Sequence, residues 1–452
     1  MNWDAILNKL PSVESPKKDV NFNTRLKWTG IILLLFYTLS NIPLFGAQSA
    51  AEMLKQVSML MGASFGSIMT LGIGPIVTSS IILQLLVGSK IVEFDLSTEA
   101  GKARFGQIQK LMAFAFCTLE AFAFAFFGAI VPLPGMASMI FFQLLFGGLI
   151  IVFFDEVITK WGIGSGISLF IAANVSTQIF TEAFSFARSD AGYLIGKIPA
   201  LIETVVGGVF SYETIVPLLF PLITTALVFL IVIYAQTLKI EIPLAFGSIK
   251  GFGRKWPLKF IYTSVIPVIL VAVLLINVNV VGQMLSSKGI NILGEYSGGT
   301  VVSGPLLYLS PPHNFILSVL QFNVLGVDIL RVICYSLFMI IGSAVFATFW
   351  VITSGMDAAS VAKQIQNTGM QIPGFRKDPR VMERVLERYI MPLALMGGAF
   401  VGFLASFADF MGSLARGTGI LLVVMIIYQL YEQIATQYMK DMNPALRKYF
   451  EL

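Results

Sequence analysis

The chain is poor in charge, in histidine and in cysteine, and each scarcity excludes a class of protein. Charged residues make up 12% of the 452 residues, about half of the roughly 25% that is usual in soluble domains. So few charges cannot cover the surface of an ordinary soluble enzyme. One His and two Cys exclude a zinc site of the usual His/Cys kind and a disulfide framework. We therefore expect no metal and no cofactor.

Apolar residues are abundant instead, and they predict a polytopic membrane protein. The residue types AVILMFWYC make up 56% of the chain and the net charge is only +5, which also excludes intrinsic disorder. A spanning helix needs about 20 predominantly apolar residues. Ten such runs lie at 28–46, 70–89, 107–131, 137–158, 165–184, 214–236, 259–283, 332–353, 388–411 and 417–437.

Two further segments are helical in pattern but do not suit a membrane crossing. At the N terminus, Trp3, Ile6, Leu7 and Leu10 share one helical face, which predicts a short interfacial helix. A disordered leader is the alternative. Residues 50–67 are too short and too polar to span, so we expect a re-entrant or surface helix there.

The distribution of Lys and Arg predicts that both termini are cytoplasmic. Ten spans place both termini on one side of the membrane, and cytoplasmic loops carry an excess of Lys and Arg. The termini and the loops on their side hold 24 of the 30 Lys and Arg residues, whereas the opposite side holds five. A missed or additional span would have removed this asymmetry.

The number of spans also predicts two halves of opposite orientation. Five spans precede the connector 185–213 and five follow it, which is the topology of inverted repeats with function at their interface. No clear sequence repeat is visible between the halves. We expect an amphipathic cytoplasmic segment at 1–27, a first half at 28–200, a second half at 201–440 and a cytoplasmic tail at 441–452.

Ionisable groups inside the predicted spans are few, and they do not form a catalytic constellation. Glu120 lies midway along the third span and is open to three interpretations: a catalytic group, a gate residue or a hydrogen-bonded structural carboxyl. Asp155 and Glu156 end the fourth span, and Asp328 and Arg331 are spaced to pair with each other. The only His, in an outer loop, and the absence of a Walker motif predict that this chain is neither an enzyme nor a nucleotide-driven motor.

Two spans begin with the same glycine pattern. Gly72-Ile73-Gly74 opens the second span and Gly162-Ile163-Gly164 opens the fifth, each followed by small polar residues. Glycine permits bending and close approach of the backbone. Ordinary helix packing, in which glycine is common, is the alternative interpretation.

Five segments together resemble the SecY family of protein-translocation channels, most closely its archaeal and eukaryotic branch. They are TLGIGPIVTSSIILQLLVGS at 70–89, WGIGSGISLFIAA at 161–173, IEIPLAFGSIKG at 240–251, FIYTSVIPVIL at 260–270, and AFVGFLASFADFMGS followed by GTGILL at 399–422. The resemblance extends from about residue 10 to residue 445 with every motif in order.

The resemblance implies an all-α fold of ten spans in two inverted pseudo-symmetric halves, with a pore between them. It implies passage of unfolded polypeptides across the cell membrane, and sideways release of hydrophobic segments into lipid through a lateral gate. An apolar ring would seal the pore, formed by Ile73, Val77, Ile167, Ile171, Ile269 and Leu422. A polar cluster of Thr78, Glu120 and Asn277 would lie at the gate, which favours the gate interpretation of Glu120.

The resemblance also implies a plug and several partners. Residues 50–67 match the plug helix, which would use Met53, Lys55, Met59 and Met61. The basic loops 237–258 and 354–387 would dock the ribosome, including its RNA, or a cytosolic motor, with their tips at Arg254, Lys255, Arg376 and Lys377. Other partners would be SecE-like and Sec-beta/SecG-like small membrane subunits, signal sequences and nascent polypeptides, and membrane lipid.

Two other functions remain open from the residues alone. A secondary transporter with inverted repeats would need a midplane ion site, and only Glu120, Asn277 and nearby hydroxyls could supply one. A structural membrane scaffold would leave the paired glycine motifs and the apolar ring unexplained. The outer loop 284–324 is polar and has no assigned role.

Overall fold

The computed structural model describes most of the chain, with gaps at several loops and at both ends. The described residues are 10–18, 20–47, 66–88, 91–92, 94, 98–126, 130, 132–188, 194–208, 211–246, 253–261, 263, 266–287, 289–297, 300–312, 315–320, 325–367, 370–371, 379–415 and 417–441. The predicted interfacial helix, apart from Leu10, lies in residues 1–9, and the predicted plug lies in residues 50–65 except for its last two residues, so both predictions fall almost entirely outside the described residues.

The described chain contains fourteen helices. In chain order they are α1 (Phe22–Ser40), α2 (Gly74–Gly88), α3 (Glu99–Phe126), α4 (Ala137–Trp161), α5 (Gly166–Phe184), α6 (Lys197–Val206), α7 (Tyr212–Thr237), α8 (Ile266–Ser287), α9 (Pro305–Tyr308), α10 (Phe315–Leu320), α11 (Gly326–Thr353), α12 (Ala358–Asn367), α13 (Pro379–Phe410) and α14 (Gly417–Asp441). Ten of them correspond to the ten predicted spans, namely α1 to α5, α7, α8, α11, α13 and α14. Eight of these ten are long and apolar enough to cross a membrane, and α2 is a shorter apolar helix. The tenth, α1, carries Arg25 and Lys27 in its first two turns, where long basic side chains can extend to the interface.

Several span boundaries were predicted incorrectly, because the prediction followed the apolar run and the helix begins or ends at a different residue. Helix α1 begins at Phe22 and ends at Ser40, six residues before the end of its predicted span. Helix α13 begins at Pro379, nine residues early, because its charged first turns remain helical outside the apolar run. Helix α8 begins seven residues late, at Ile266, because residues 253–259 form a strand.

The two long basic loops, predicted as separate loops, meet in one small sheet. Strands β1 (Lys239–Phe246) and β2 (Gly253–Lys259) form an antiparallel hairpin that pairs Lys239 with Lys259. Strand β5 (Met370–Gln371), from the second loop, pairs with the far end of β1. The two loops are therefore joined at one end of the molecule.

The polar outer loop is also folded. Strands β3 (Glu295–Ser297) and β4 (Thr300–Ser303) form a second hairpin, followed by the short helices α9 and α10. The Tyr296 hydroxyl donates to the Asn279 carbonyl oxygen of α8 at 3.0 Å, and burial raises the pKa of Tyr296 to about 12, so the hydroxyl remains a donor. The predicted pairing of Asp328 with Arg331 is confirmed, at 3.3 Å.

Four helix contacts recur in the same order in the two groups of five spans, although α1 also packs on α4. In the first group α2 packs on α3, α3 on α4, α4 on α5, and α1 on α5. In the second group α8 packs on α11, α11 on α13, α13 on α14, and α7 on α14. The short connector helix α6 contains residues 200 and 201, between which the boundary of the halves was predicted.

The structure also locates a short repeat that the sequence comparison between the halves missed. Gly164-Ser165-Gly166-Ile167 leads into α5, and Gly417-Thr418-Gly419-Ile420 opens α14. These two helices occupy equivalent positions in the two groups. The repeat is only four residues long, so it becomes significant only when the helices that carry it are known to correspond.

Candidate functional site between the two halves

The two halves meet along two seams. On one side α2 packs against α8 and α11, and on the other α5 packs against α14. The residues predicted to form a ring and a polar cluster lie on these helices or immediately before them, except Glu120, which lies on the neighbouring α3. The space between the halves is therefore the candidate site.

An irregular segment leads into this space before α2 begins. Residues 66–73 form successive turns rather than a helix. A non-helical backbone at membrane depth requires internal partners, and the Ile68 N–H donates to the Ile42 carbonyl at 3.1 Å. A side chain at Gly147 of α4 would meet the Ile68 carbonyl oxygen at 1.9 Å. The Gly147-Gly148 pair in the fourth span is the sequence signal for this close approach, and it was not used in the prediction.

The six predicted ring residues belong to, or pack against, one apolar cluster, which is the main core of the described chain and contains residues of both halves. Ile73, Val77, Ile171, Ile269 and Leu422 are buried, none more than 4% exposed. Ile167 is partly buried and packs against the same cluster. The cluster combines residues of both halves, from α2, α5, α8 and α14 and from the turn before α2. It excludes water from the centre of the interface.

Aspartates hold the N-terminal ends of two ring-bearing helices. Asp155, at the end of α4, accepts a hydrogen bond from the Ile167 N–H of α5 at 3.0 Å. Asp409, at the end of α13, accepts from the Thr418 N–H of α14 at 2.9 Å and from the Tyr335 hydroxyl at 2.7 Å. A carboxylate at a helix N terminus satisfies free N–H groups and favours the helix dipole. The same device thus fixes α5 in one half and α14 in the other.

The three predicted polar residues do contact one another across the first seam. The Thr78 hydroxyl of α2 donates to Glu120 Oε1 of α3 at 3.1 Å, and the Asn277 side-chain amide of α8 donates to the Thr78 hydroxyl oxygen at 2.9 Å. Glu120 is 9% exposed, and its second carboxylate oxygen has no hydrogen-bond partner within the described part of the chain. The cluster joins the first half to the second through Asn277.

A tight glycine contact also lies at this seam. A Cβ atom at Gly88, at the end of α2, would lie 2.4 Å from the ring of Phe349 on α11. Within the second half, a Cβ atom at Gly342 of α11 would lie 3.0 Å from Val271 of α8, so the two second-half helices of the seam are also closely packed. These contacts were not predicted, because a single glycine in a membrane helix does not by itself indicate which neighbour lies opposite.

The other predicted site residues are placed only in part. Arg254 and Lys255 lie on β2, opposite Leu244 and Pro243 of β1. Arg376 and Lys377, together with the four predicted plug residues, fall outside the described residues. Among the residues that the structure describes, no group of three or more His, Cys, Asp or Glu side chains could hold a metal ion.

These features define a class, namely a polytopic helical membrane protein with a sealed interface between two similarly packed halves. The SecY family model matches residues 67–431. The protein translocase subunit SecY of Methanocaldococcus jannaschii is 44% identical over 445 residues, which is 98% of each chain. The chain therefore belongs to the SecY family.

Solved structures agree with this assignment. A structure described as a protein conducting channel superposes with a TM-score of 0.86 at 41% identity, and the match covers 100% of both chains. Sec61 in the canine ribosome–channel complex from the endoplasmic reticulum superposes with a TM-score of 0.82, also at 41% identity and full coverage. The fold is thus that of ten transmembrane helices in two inverted pseudo-symmetric halves, and the function is that of a protein-conducting channel. The transporter and scaffold alternatives were wrong.

Proposed function

We propose that this chain is the pore-forming subunit of a general protein-secretion channel at rest, with its seal and its lateral gate both closed. The observation that carries the proposal is that the six predicted ring residues are buried or partly buried on, or just before, helices of both halves, and that a hydrogen-bonded polar cluster joins the halves at one seam. Unfolded polypeptides would cross at the six ring residues. Hydrophobic segments would leave sideways between α2 and α3 on one side and α8 and α11 on the other.

The seal consists of Ile73, Val77, Ile167, Ile171, Ile269 and Leu422. Branched apolar side chains exclude water and ions from a narrow constriction by dewetting. They offer no strong hydrogen bond or charge to a passing chain, so polypeptides of any sequence can slide through. A charged ring would retain segments of the opposite charge.

The gate consists of Thr78, Glu120 and Asn277. Hydrogen bonds between membrane helices contribute on the order of 1 kcal/mol each, so the two bonds of this cluster hold the seam with a modest free energy. An apolar signal sequence that inserts between α2 and α8 can compete with that energy. Marginal stability of the closed seam is what a gate requires.

Residues 50–67 form the plug beneath the seal in this proposal. Met53, Met59 and Met61 would pack adaptably against the ring, because methionine is flexible and polarisable. The charge of Lys55 would disfavour partition of the segment into lipid. The halves divide near residue 200, within α6, and residues 1–27 and 441–452 form the cytoplasmic terminal segments.

The partners follow from the basic end of the molecule. Because β5 pairs with β1, the loop that carries Arg254 and Lys255 adjoins the loop that carries Arg376 and Lys377. Cationic loops bind the phosphate backbone of RNA, and the canine relative was solved in a ribosome–channel complex. We therefore place ribosome or motor docking here, on the cytoplasmic side of the cell membrane, with both termini on the same side and with SecE-like and Sec-beta-like small subunits bound around the helices.

A disulfide trap tests the proposed path. Cys117 and Cys334, the two free cysteines, are replaced by Ala, and a single Cys is placed at Ile167. A ribosome-stalled secretory chain with one mid-chain Cys is then engaged. We expect a disulfide to the ring position that depends on a functional signal sequence.

A Cys in the β1–β2 hairpin serves as the control for docking. If that position traps the stalled chain and Ile167 does not, the polypeptide docks without passing the apolar cluster. The proposed path would then be wrong.

A further inference from the structure

The chain's own residues 11–14 lie beside the first half of α3 and the end of α4, where three side chains donate hydrogen bonds to main-chain carbonyl groups of the segment. Lys110 Nζ donates to the Pro11 carbonyl at 2.6 Å, and Lys160 Nζ donates to the Val13 carbonyl at 2.5 Å. Trp161 Nε1 donates to the Glu14 carbonyl at 2.8 Å. The backbone N–H of Val13 also lies near the Glu156 carboxylate and interacts with it favourably.

The groups that make these contacts form a compact, partly buried ion cluster. The Glu156 carboxylate pairs with Lys110 at 2.5 Å and with Lys160 at 2.8 Å. Lys110 Nζ also lies 5.8 Å and 5.3 Å from the centres of the Phe114 and Phe153 rings. The Lys110 and Glu156 side chains are 14% and 15% exposed, so the hydrogen bond between them is charge-assisted and partly buried. The bond from Lys110 to the Pro11 carbonyl lies at the exposed edge of the site.

Two side chains in or beside the segment face a cavity instead of a specific hydrogen-bonding partner among the described residues. Leu10 and Ser12 line a cavity of about 560 Å³, together with Gly106, Gln109 and Thr159 from α3 and α4. This cavity has room for other side chains at those positions. Recognition through the main chain, with alternate side chains in open pockets, is how extended peptides bind to sheet edges.

We propose that Lys110, Glu156, Lys160 and Trp161 form a binding site for an extended polypeptide main chain, and that residues 11–14 are the ligand it holds at rest. The site forms hydrogen bonds with carbonyl and N–H groups of the main chain, so it can bind many sequences. Because Lys110 belongs to α3 and the other three residues belong to α4, the bound segment bridges these two helices. The proposal is independent of the seal and gate assignments.

Substitution at Val13 tests the proposal in the full chain. Val13→Pro removes the N–H that interacts with the Glu156 carboxylate, whereas Val13→Ala keeps it. We expect trypsin cleavage after Lys17 or Lys18, both exposed, to be about tenfold faster in Val13→Pro, which is the loss expected for one hydrogen bond to a charged group. Val13→Ala should be cleaved at the parental rate, and equal rates in the two variants would overturn the proposal.

A peptide experiment addresses the generality of the site. A fluorescent acetylated and amidated peptide of residues 10–16 should bind the Val13→Pro channel at least tenfold more tightly than it binds the parent, whose site is filled. A peptide with Thr and Gln in place of Val13 and Glu14 should bind within a few-fold. A peptide N-methylated at Val13 should not bind, and equal binding of the N-methylated peptide would contradict main-chain recognition.

Correct folding is checked by gel filtration and by the midpoint of thermal unfolding. If Val13→Pro does not fold, Trp161→Phe replaces it, since it removes only the donor to the Glu14 carbonyl and keeps an aromatic ring beside Trp28. Trypsin cleavage should then rise several-fold. An unchanged rate in a folded Trp161→Phe channel would overturn the proposal.

Discussion

At the residue scale, small changes in side-chain chemistry distinguish the seal from the gate. The proposed seal consists of branched apolar groups without polar atoms, whereas the proposed gate consists of three polar groups at hydrogen-bonding distance. The family resemblance predicted both sets of residues. The resemblance could not show that one oxygen of Glu120 has no hydrogen-bond partner among the described residues, because that depends on the packing around the carboxylate.

The first prediction concerns the seal. Replacing Ile73, Ile167 and Ile269 together with Gly should make resting channels conduct ions, because the constriction widens and becomes wet. Conductance in planar bilayers measures the effect. Glycine at the exposed positions Leu85, Phe180 and Val281 is the matched control for weakening of the helices. If the triple ring variant conducts no more ions than this control, the six residues do not form the seal.

The second prediction concerns the gate. Thr78→Val keeps the shape of the side chain but removes the hydroxyl that bridges Glu120 and Asn277. With two bonds of order 1 kcal/mol each lost from the closed state, less hydrophobic signal sequences should open the channel. Translocation of a series of signals of graded hydrophobicity measures the threshold.

Thr118→Val is the matched control for this substitution. Its hydroxyl is exposed and bonds only to the Phe114 carbonyl of its own helix. If both variants keep the parental threshold, the polar cluster does not hold the gate.

At the element scale, helix ends and helix contacts position the site. The predicted spans gave the number and order of the helices correctly, because an apolar run of sufficient length is a local property. Their ends were less accurate, since charged turns at Phe22 and Pro379 continue the helix beyond the apolar run. The contacts between helices, such as Gly88 against Phe349, could not be predicted from one sequence.

The third prediction belongs to this scale. Gly88→Ala places a Cβ atom against the Phe349 ring, only 2.4 Å from its nearest carbon, so the end of α2 must move away from α11. We expect a looser gate and translocation of substrates with weakened signals. Gly106→Ala on α3 is the control, because a Cβ there has no heavy atom within 4 Å. Identical translocation by the two variants would show that this contact does not limit opening.

At the scale of the whole molecule, the described parts of the basic loops 237–258 and 354–387 are joined by the pairing of β1 with β5. Both were predicted to dock a partner, but their joining through β1 and β5 was not, because strand pairing between segments more than 100 residues apart has no local signal. A joined surface can engage one large polyanion at several points.

The fourth prediction concerns this surface. Arg254→Glu with Lys255→Glu should weaken ribosome binding and reduce its dependence on salt, because fewer counterions are released from RNA. Binding of purified channels to ribosomes at several salt concentrations gives the slope. Lys197→Glu, at the start of α6 on the opposite predicted side, is the control. A parental salt slope in the double variant would place docking elsewhere.

The sequence by itself determined that this protein is a helical membrane protein, with ten spans, a basic side and the motifs of the SecY family. These properties follow from the partition of each segment between lipid and water, which depends on local composition. Only the tertiary structure decided that Asn277 meets Thr78, 199 positions away, and that residues 11–14 lie across α3 and α4. Such contacts depend on how the helices pack against one another, and no single segment encodes that.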